Sequence, residues 1–406
     1  MASLIPFRAL RPAPDAAAEV AAVPYDVVTT EEARRLADGH PLSFLHVSRA
    51  EIDLAAGTDP YAEVVYETAR HNFARLKQQA PLVSDDAPSV YLYRLRMDDH
   101  VQTGVAACFS LDEYDRDVIR KHEKTRRDKE DDRTRHMTEL KAQTGPVFLT
   151  YVASSEVDAA AERVAQGTPL YDFAAPDSVR HTIWRVPDGE RALLVGAFGR
   201  IPQLYIADGH HRAASAARAR QALKPAGAAT TQESDAFLAV AFPHDQVQIL
   251  PYNRLVKDLG VRRPGEILEA LHATHRLERG PAVPLRKGEV SVFVAGQWYT
   301  LTLNQHPNPR SPIDGLDVSA LQEQVLGSVL GVGDPRVDKR IHFVGGARGT
   351  AALESAVGSG VAAIAFSLHP VSMSDLMAIS DAGDIMAPKS TWFEPKLRDG
   401  LLIHEI

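Results

Sequence analysis

"YIADGHHRAASAARAR" (205–220) is the stretch on which the fold turns. An apolar run ends in Asp208-Gly209, then come His210, His211 and Arg212, and then alanines recur as in a helix. That order predicts a strand feeding directly into a helix. Asp208 is then expected at the N-cap, its side chain accepting from the amide of His210 or His211. The same amides, with the helix dipole, favour an anion. A phosphate and Asp208 compete for them, and a magnesium ion bridging carboxylate and phosphate oxygens resolves the competition. Plain capping with surface histidines is the alternative. Three donors crowded at one helix start weigh against it.

Working outward, residues 116–141, "RDVIRKHEKTRRDKEDDRTRHMTELK", are the most charged segment. At about 100° per residue, His122, Thr125, Lys129, Asp132, Arg133 and His136 share one arc of a helix. Such a stripe facing a phosphate pocket uses Lys129 as a point charge and Arg133 as a bidentate fork. The alternative is a solvated helix held by pairs such as Glu123 with Arg127. "SRAEID" (48–53), read as extended, puts Glu51 and Asp53 on one face. Two carboxylates there suit a magnesium ion or a hydroxyl proton, and a solvated strand edge is the plain reading. "PYDV" offers Asp26 ahead of a helix, as a cap or turn residue. "PKSTWFEPKLRDG" (388–400) is denied regular structure by its prolines. Its Lys389, Ser390, Thr391 and Lys396 suit a phosphate-binding or closing loop, and packing of Trp392 and Phe393 explains it equally well.

Elsewhere the patterns are ordinary. "TTEEARRLADG" (29–39) reads as a capped helix stopped by Gly39. Residues 59–79 read as a longer one with Val65, Tyr66, Ala69, Phe73 and Leu76 inward. Five apolar runs read as strands, and "KPAGAATTQESD" (224–235) reads as a loop. Past a soft boundary near 258, a helix begun by Pro264, a hairpin around Gly296 and alternating short elements suggest a small α/β domain.

The 406 residues carry a net charge of −8, which argues against attraction to nucleic acid or an acidic membrane. The single cysteine, Cys108, sits among apolar residues, and excludes intrachain disulfides and cysteine-rich zinc sites. No signal peptide, membrane-spanning run, Walker motif, zincin motif or hydrolase elbow is legible, so a cytoplasmic protein is expected.

"VPYDVV" (23–28), "PLSFLHVSRAEID" (41–53), "HEKTRRDKEDDRTRH" (122–136), "YIADGHHR" (205–212), "ILPYNRLV" (249–256) and "MAPKSTWFEPKLRDGL" (386–401) together resemble the domain-of-unknown-function family numbered 1015. Through its Asp-Gly-His-His-Arg turn that family is similar to the ParB/sulfiredoxin-like fold, which includes free serine kinases. The resemblance implies an α+β protein. A ParB/sulfiredoxin-like core would occupy residues 1–258, and an appended C-terminal α/β domain residues 259–406. It implies phosphoryl transfer from ATP, ADP or pyrophosphate to the hydroxyl of free L-serine. Catalytic candidates are Asp208, Glu51 and His211. Binding candidates are Gly209, His210, Arg212, Lys129, Arg133 and His122, with Asp208 as ligand to Mg2+. The expected partner is a small-molecule amino acid, with no nucleic acid or membrane, and self-association into a homo-oligomer is compatible with this reading. The rivals are a metal-dependent phosphohydrolase and a non-enzymatic, ParB-like nucleotide-binding regulator.

Overall fold

A computed structural model describes residues 1–79, 82–223, 233–304, 309 and 311–406. Its contacts divide the chain into two units. The first holds Met1–Lys121, Thr125–Val247 and Pro395–Ile406, and the second holds His122–Lys124 and Gln248–Glu394. The chain therefore leaves the first unit ten or so residues before the expected boundary at 258, and re-enters it at Pro395. Both units mix helix and sheet.

The first unit is built on a nine-stranded sheet. Its strands are β1 (Leu4–Ile5), β2 (Tyr91–Met97), β3 (His100–Ser110), β4 (Ile119–Arg120), β5 (Val147–Tyr151), β6 (Tyr171–Ala174), β7 (Arg180–Arg185), β8 (Leu204–Asp208) and β9 (Ala236–Pro243). They run in the order β4-β8-β5-β9-β3-β2-β7-β6, with β1 added on β3. Pairing is antiparallel except for β8 with β4 and β9 with β5. β5 and β9 are buried along their whole length, as near-continuous apolar runs require. Cys108 is one of the buried residues of β3, as its neighbours predicted.

Helices α1 (Thr30–Ala37), α2 (Glu63–Gln79), α3 (Arg127–Leu140), α4 (Ser155–Ala165), α5 (Asp188–Phe198) and α6 (His210–Leu223) belong to this unit. Thr29 and Glu32 close a reciprocal capping box on α1, and Gly39 follows it at φ +73°. The buried face of α2 is Val65, Tyr66, Ala69, Phe73 and Leu76, the five residues its period selects.

The charged segment differs from its reading. α3 begins only at Arg127, so His122, Glu123 and Thr125 precede it and cannot belong to one helical stripe. Nor is α3 a solvated rod: Asp132, His136, Met137 and Leu140 are buried. Two apolar residues near its end, with polar groups turned inward and paired, suffice to seat it.

The second unit carries a six-stranded sheet. It includes the hairpin Glu289–Val294/Gln297–Thr302, whose two turn residues, Ala295 and Gly296, lie at φ +51° and +77°. Helices Pro264–Thr274, Gly349–Gly358 and Met373–Asp381 accompany it. Of the expected loop at 224–235, residues 224–232 lie outside the described residues, and Glu233–Asp235 form a single 3-10 turn.

Candidate functional site

Two clusters of polar residues in the first unit contain most of the expected site residues. One is built on the β8-to-α6 turn. The β8–β5 register slips between Ile206 and Asp208, a bulge that re-aims the last side chain of the strand. Gly209 follows at φ +92°, a backbone that disfavours any residue with a Cβ. A Cβ there would also lie 3.2 Å from the Arg212 Nε. The Gly209 carbonyl accepts from the Ala213 amide at 3.1 Å, the first bond of the helix. The N-cap is therefore Gly209, one residue later than expected. Asp208 accepts instead from the Gly209 amide (2.7 Å), and its other oxygen meets the Lys396 Nζ at 2.7 Å. Burial alone would raise the Asp208 pKa, but Lys396, Arg212 and the Gly209 amide more than offset that and hold it well below the usual carboxylate range.

Arg212 is buried, and its Nη1 donates to the Pro146 carbonyl. Its Nε has no hydrogen-bond partner among the described residues. Asp26, Asp208 and Asp399 supply the negative charge around it that offsets its desolvation. Asp399 is buried too, seated where a Cβ on Gly145 would overlap its Oδ1. Burial pushes the Asp399 pKa up to about 7, with Arg212 opposing the rise and Asp26 adding to it. His210 is buried at the helix start, and His211 accepts the Arg126 amide on Nε2 at 2.9 Å.

The second cluster lines a cavity of about 120 Å3 walled by Tyr25, Arg49, Glu51, Tyr61, Lys129 and Arg133, among others. Glu51 lies on a 3-10 turn, Ala50–Asp53, not on an extended strand. That turn separates the two carboxylates expected together: Asp53 pairs with His46 (2.8 Å) and Asn72 (2.7 Å). Glu51 is 4% exposed, with its Oε1 2.7 Å from Arg49 Nε and 3.2 Å from the Thr30 hydroxyl. Arg49 is fixed in turn by the Tyr25 carbonyl and the Thr30 hydroxyl.

Arg133 is locked from three sides. It pairs with Asp132 (2.8 Å), donates to the Ser48 carbonyl (3.3 Å) and lies over the Tyr25 ring at 4.1 Å. Asp132 also accepts from the Tyr66 hydroxyl at 2.9 Å. His136 shares the cavity wall, and burial, with Arg133 beside it, lowers its pKa to about 4. Lys129 is different. It donates to the Tyr61 hydroxyl at 2.7 Å and, among the described residues, has no carboxylate within ion-pair reach.

The structure thus brings Glu51, Lys129 and Arg133 to one cavity, and Asp208, Gly209, His210 and Arg212 to one turn. Tyr25 and Asp399 link the two sets electrostatically, since each feels both Arg133 and Arg212. His122 joins neither set; it is buried and belongs with the second unit. Sequence reasoning passed over Tyr25, Asp399 and Arg398, which pairs with Asp177 and adds positive charge beside Asp399, and gave Lys396 only a loop role. The one signal for the last three was the charge in "KLRDG", following a proline-bounded apolar pair. Among the described residues, no three His, Cys, Asp or Glu side chains form a group able to hold a metal ion. No described helix is long and apolar enough to cross a membrane.

The family described as "Protein of unknown function (DUF1015)" matches residues 4–319. Among solved structures, a conserved hypothetical protein from Pyrococcus furiosus is similar at 15% identity and TM-score 0.35, over 74% of this chain and 94% of its own. A free serine kinase in complex with AMP is similar at 15% identity and TM-score 0.36, over 73% and 92%. SbnI with a C-terminal truncation, from Staphylococcus aureus, is similar at 12% identity and TM-score 0.37, over 72% and 85%. At these TM-scores the likeness carries no argument, and the nucleotide is that kinase's own. No curated protein matches.

Proposed function

The chain belongs to the DUF1015 family, and on that premise we propose that it is a small-molecule kinase. It would transfer a phosphoryl group to the hydroxyl of a free amino acid of the size of L-serine. One observation carries the reading: Glu51 and the carboxylate-free Lys129 face the same small cavity. At about 120 Å3 the cavity far exceeds the roughly 10–15 Å3 one water needs, and falls below the roughly 300–1,000 Å3 of drug-sized sites. An amino acid fits that range.

In this reading Glu51 takes the proton as the acceptor's hydroxyl oxygen attacks the terminal phosphorus of the donor, ATP, ADP or pyrophosphate. The bond to the leaving phosphate breaks, and Lys129 and Arg133 hold the charge that spreads over the transferring oxygens. Arg133, pinned by Asp132, Ser48 and Tyr25, is pre-organised for that task. Arg212 and the amides of the β8-to-α6 turn are the second anion-holding group, with His210 and His211 flanking them.

Asp208 does not fit the metal role. The Lys396 ammonium already stands at the carboxylate oxygen a Mg2+ would need, and the Gly209 amide occupies the other. The low pKa makes Asp208 a weak base, so Glu51 is the base in this proposal. A magnesium ion would be held by the donor's phosphate oxygens. The ParB/sulfiredoxin-like assignment of the first unit and a cytoplasmic setting are parts of the same proposal.

The test is to incubate the protein with magnesium, each donor in turn and pooled amino acids, and to look for a phosphorylated amino acid by mass. Glu51→Gln should abolish the product. Phosphate release that ignores the amino acids would make it a phosphohydrolase, and nucleotide binding without turnover would make it a regulator.

A further inference from the structure

The first unit contains a second, larger cavity, of about 240 Å3, outside both clusters. Arg94 on β2, Tyr151 at the end of β5, and Asp158 and Glu162 on α4 line it, over a floor that includes Val105 and Val157. Its polar groups are out of balance. Tyr151 is 1% exposed, its ring packed on Phe198 at 5.2 Å, yet among the described residues its hydroxyl makes no hydrogen bond. That oxygen is not sealed off from the cavity, so it is open to a hydrogen-bonding partner there. Burial first, then the charges of Asp158 and Asp245, push the Tyr151 pKa up, so the hydroxyl stays protonated.

The charges are unmatched as well. Asp158 and Glu162 are one turn apart on the same face of α4, a like-charge spacing that destabilises a helix. Neither has an ion pair among the described residues, Glu162 being exposed and Asp158 half-buried, and burial, then Asp245 and Glu162, raise the Asp158 pKa. In the same lining Arg94 donates Nε to the Thr103 hydroxyl (2.9 Å) and lies over Trp184 at 5.1 Å. It too has no carboxylate partner, and no acid among the groups that shift its pKa. Arg94 and Asp158 line one cavity without pairing with each other.

We propose that this cavity is a binding site for a small zwitterion, a free amino acid. Its ammonium would sit among Asp158, Glu162 and the Tyr151 oxygen, and its carboxylate on the free edge of the Arg94 guanidinium. Such a ligand offers a partner to Arg94, to the acidic pair and to the Tyr151 hydroxyl at once. An anion alone would leave the acidic wall uncompensated, and a cation alone would leave Arg94 so. Tyr151 closes the strand that begins at Val147, beside the Pro146 carbonyl that holds Arg212. Tyr151 lies three residues along β5 from Phe148, the partner of Asp208 in the sheet, so the second site sits about 10 Å along the strand from the β8-to-α6 turn, at ~3.3 Å per residue.

Calorimetric titration with each standard amino acid tests this, using full-length protein carrying Glu51→Gln and Lys129→Ala so that the first cavity is disabled. Saturable binding of at least one amino acid is expected in that background. Tyr151→Phe and Asp158→Asn, added singly, should each weaken it by about tenfold or more. Tyr151→Phe should keep or raise the melting temperature without ligand, which separates lost binding from lost folding. Methylammonium and acetate should each bind far more weakly than the amino acid. The proposal fails if no amino acid binds this background, if the Tyr151 and Asp158 variants leave binding unchanged, or if either half-ligand binds as tightly.

Discussion

Lys129 and Arg133 are one turn apart on α3 and face one cavity, but the structure separates their energetics. Lys129 is half-buried and held by one neutral hydroxyl. Lys129→Ala should lower turnover by roughly tenfold, about 1.4 kcal/mol of barrier, with the melting temperature little changed. Arg127, exposed at the start of the same helix, is the control: Arg127→Ala should leave both activity and stability almost untouched. Arg133→Ala is another matter. It strands the buried Asp132 carboxylate and should cost about 3–5 kcal/mol of stability. Equal, small effects at all three positions in kinetics and thermal melts would remove α3 from the mechanism.

Two other residues give the fold opposed pH dependences. The Asp399 pKa, raised to about 7, favours the protonated group in the folded state. Its contribution is full below the ordinary carboxyl range, near about 4, and is lost as pH rises through about 7. The His136 pKa, lowered from 6.5 to about 4, favours the neutral ring. That contribution is present above 6.5 and lost as pH falls through about 4. In the interval between, protonating Asp399 counteracts the loss at His136. Asp399→Asn removes the counterweight, so its melting temperature should fall more steeply than the parent's between about pH 6.5 and 4.5. Parallel curves would mean that Asp399 does not titrate there.

At the scale of the element, the β8-to-α6 turn was legible and its wiring was not. Apolar run, Asp-Gly and alanine repeat located the strand and the helix from local pattern. The bulge that delays the cap to Gly209 leaves no trace in periodicity, because it is a register slip against β5. The mate of Asp208 lies 188 residues away, beyond anything spacing can reveal. Charge reversal of that kind is testable by a double-mutant cycle. Lys396→Met should cost about 3–5 kcal/mol, since it leaves the Asp208 carboxylate with its main counter-ion gone. Lys396→Met with Asp208→Asn should recover a large part of that loss in denaturant titrations, and simple additivity would mean the pair is not coupled. α3 teaches the converse. Its charge content suggested a solvated or phosphate-facing stripe running back to His122, whereas the helix starts only at Arg127 and four of its charges, Glu130, Asp131, Arg135 and Glu139, are matched to neighbours on α2 and α6.

For the whole molecule, the sequence led to the right family and to a mixture of helix and sheet, since composition, motif order and element alternation are distributed along the chain. It did not reveal that the first unit is discontinuous. Return of Pro395–Ile406 depends on pairing at a distance: Ala9–Leu10 with Ile403–His404, and the reciprocal backbone bonds between Ala22 and Asp399. A chain ending at residue 258 retains nearly every candidate residue named from the sequence but lacks Lys396, Arg398 and Asp399. Against a typical domain stability of about 5–15 kcal/mol, the loss of the Asp208 counter-ion alone is severe. Such a chain should show a broadened, low-temperature melt by circular dichroism. A cooperative melt at the parent's temperature would show the returning segment to be dispensable.

That return also sets a schedule. Synthesis proceeds from the amino end at about 5–20 residues per second, so about 150 residues separate the exit of the first unit's main body from that of Lys396, some 7–30 s. Throughout that interval Asp208 exists on a nascent chain without Lys396, and Arg212 without Asp399, although Asp26 is already present. The β8-to-α6 turn is therefore finished only once both units have been translated. A ribosome-bound intermediate that stops before Pro395 would carry the acid-and-arginine turn without its last two charge partners.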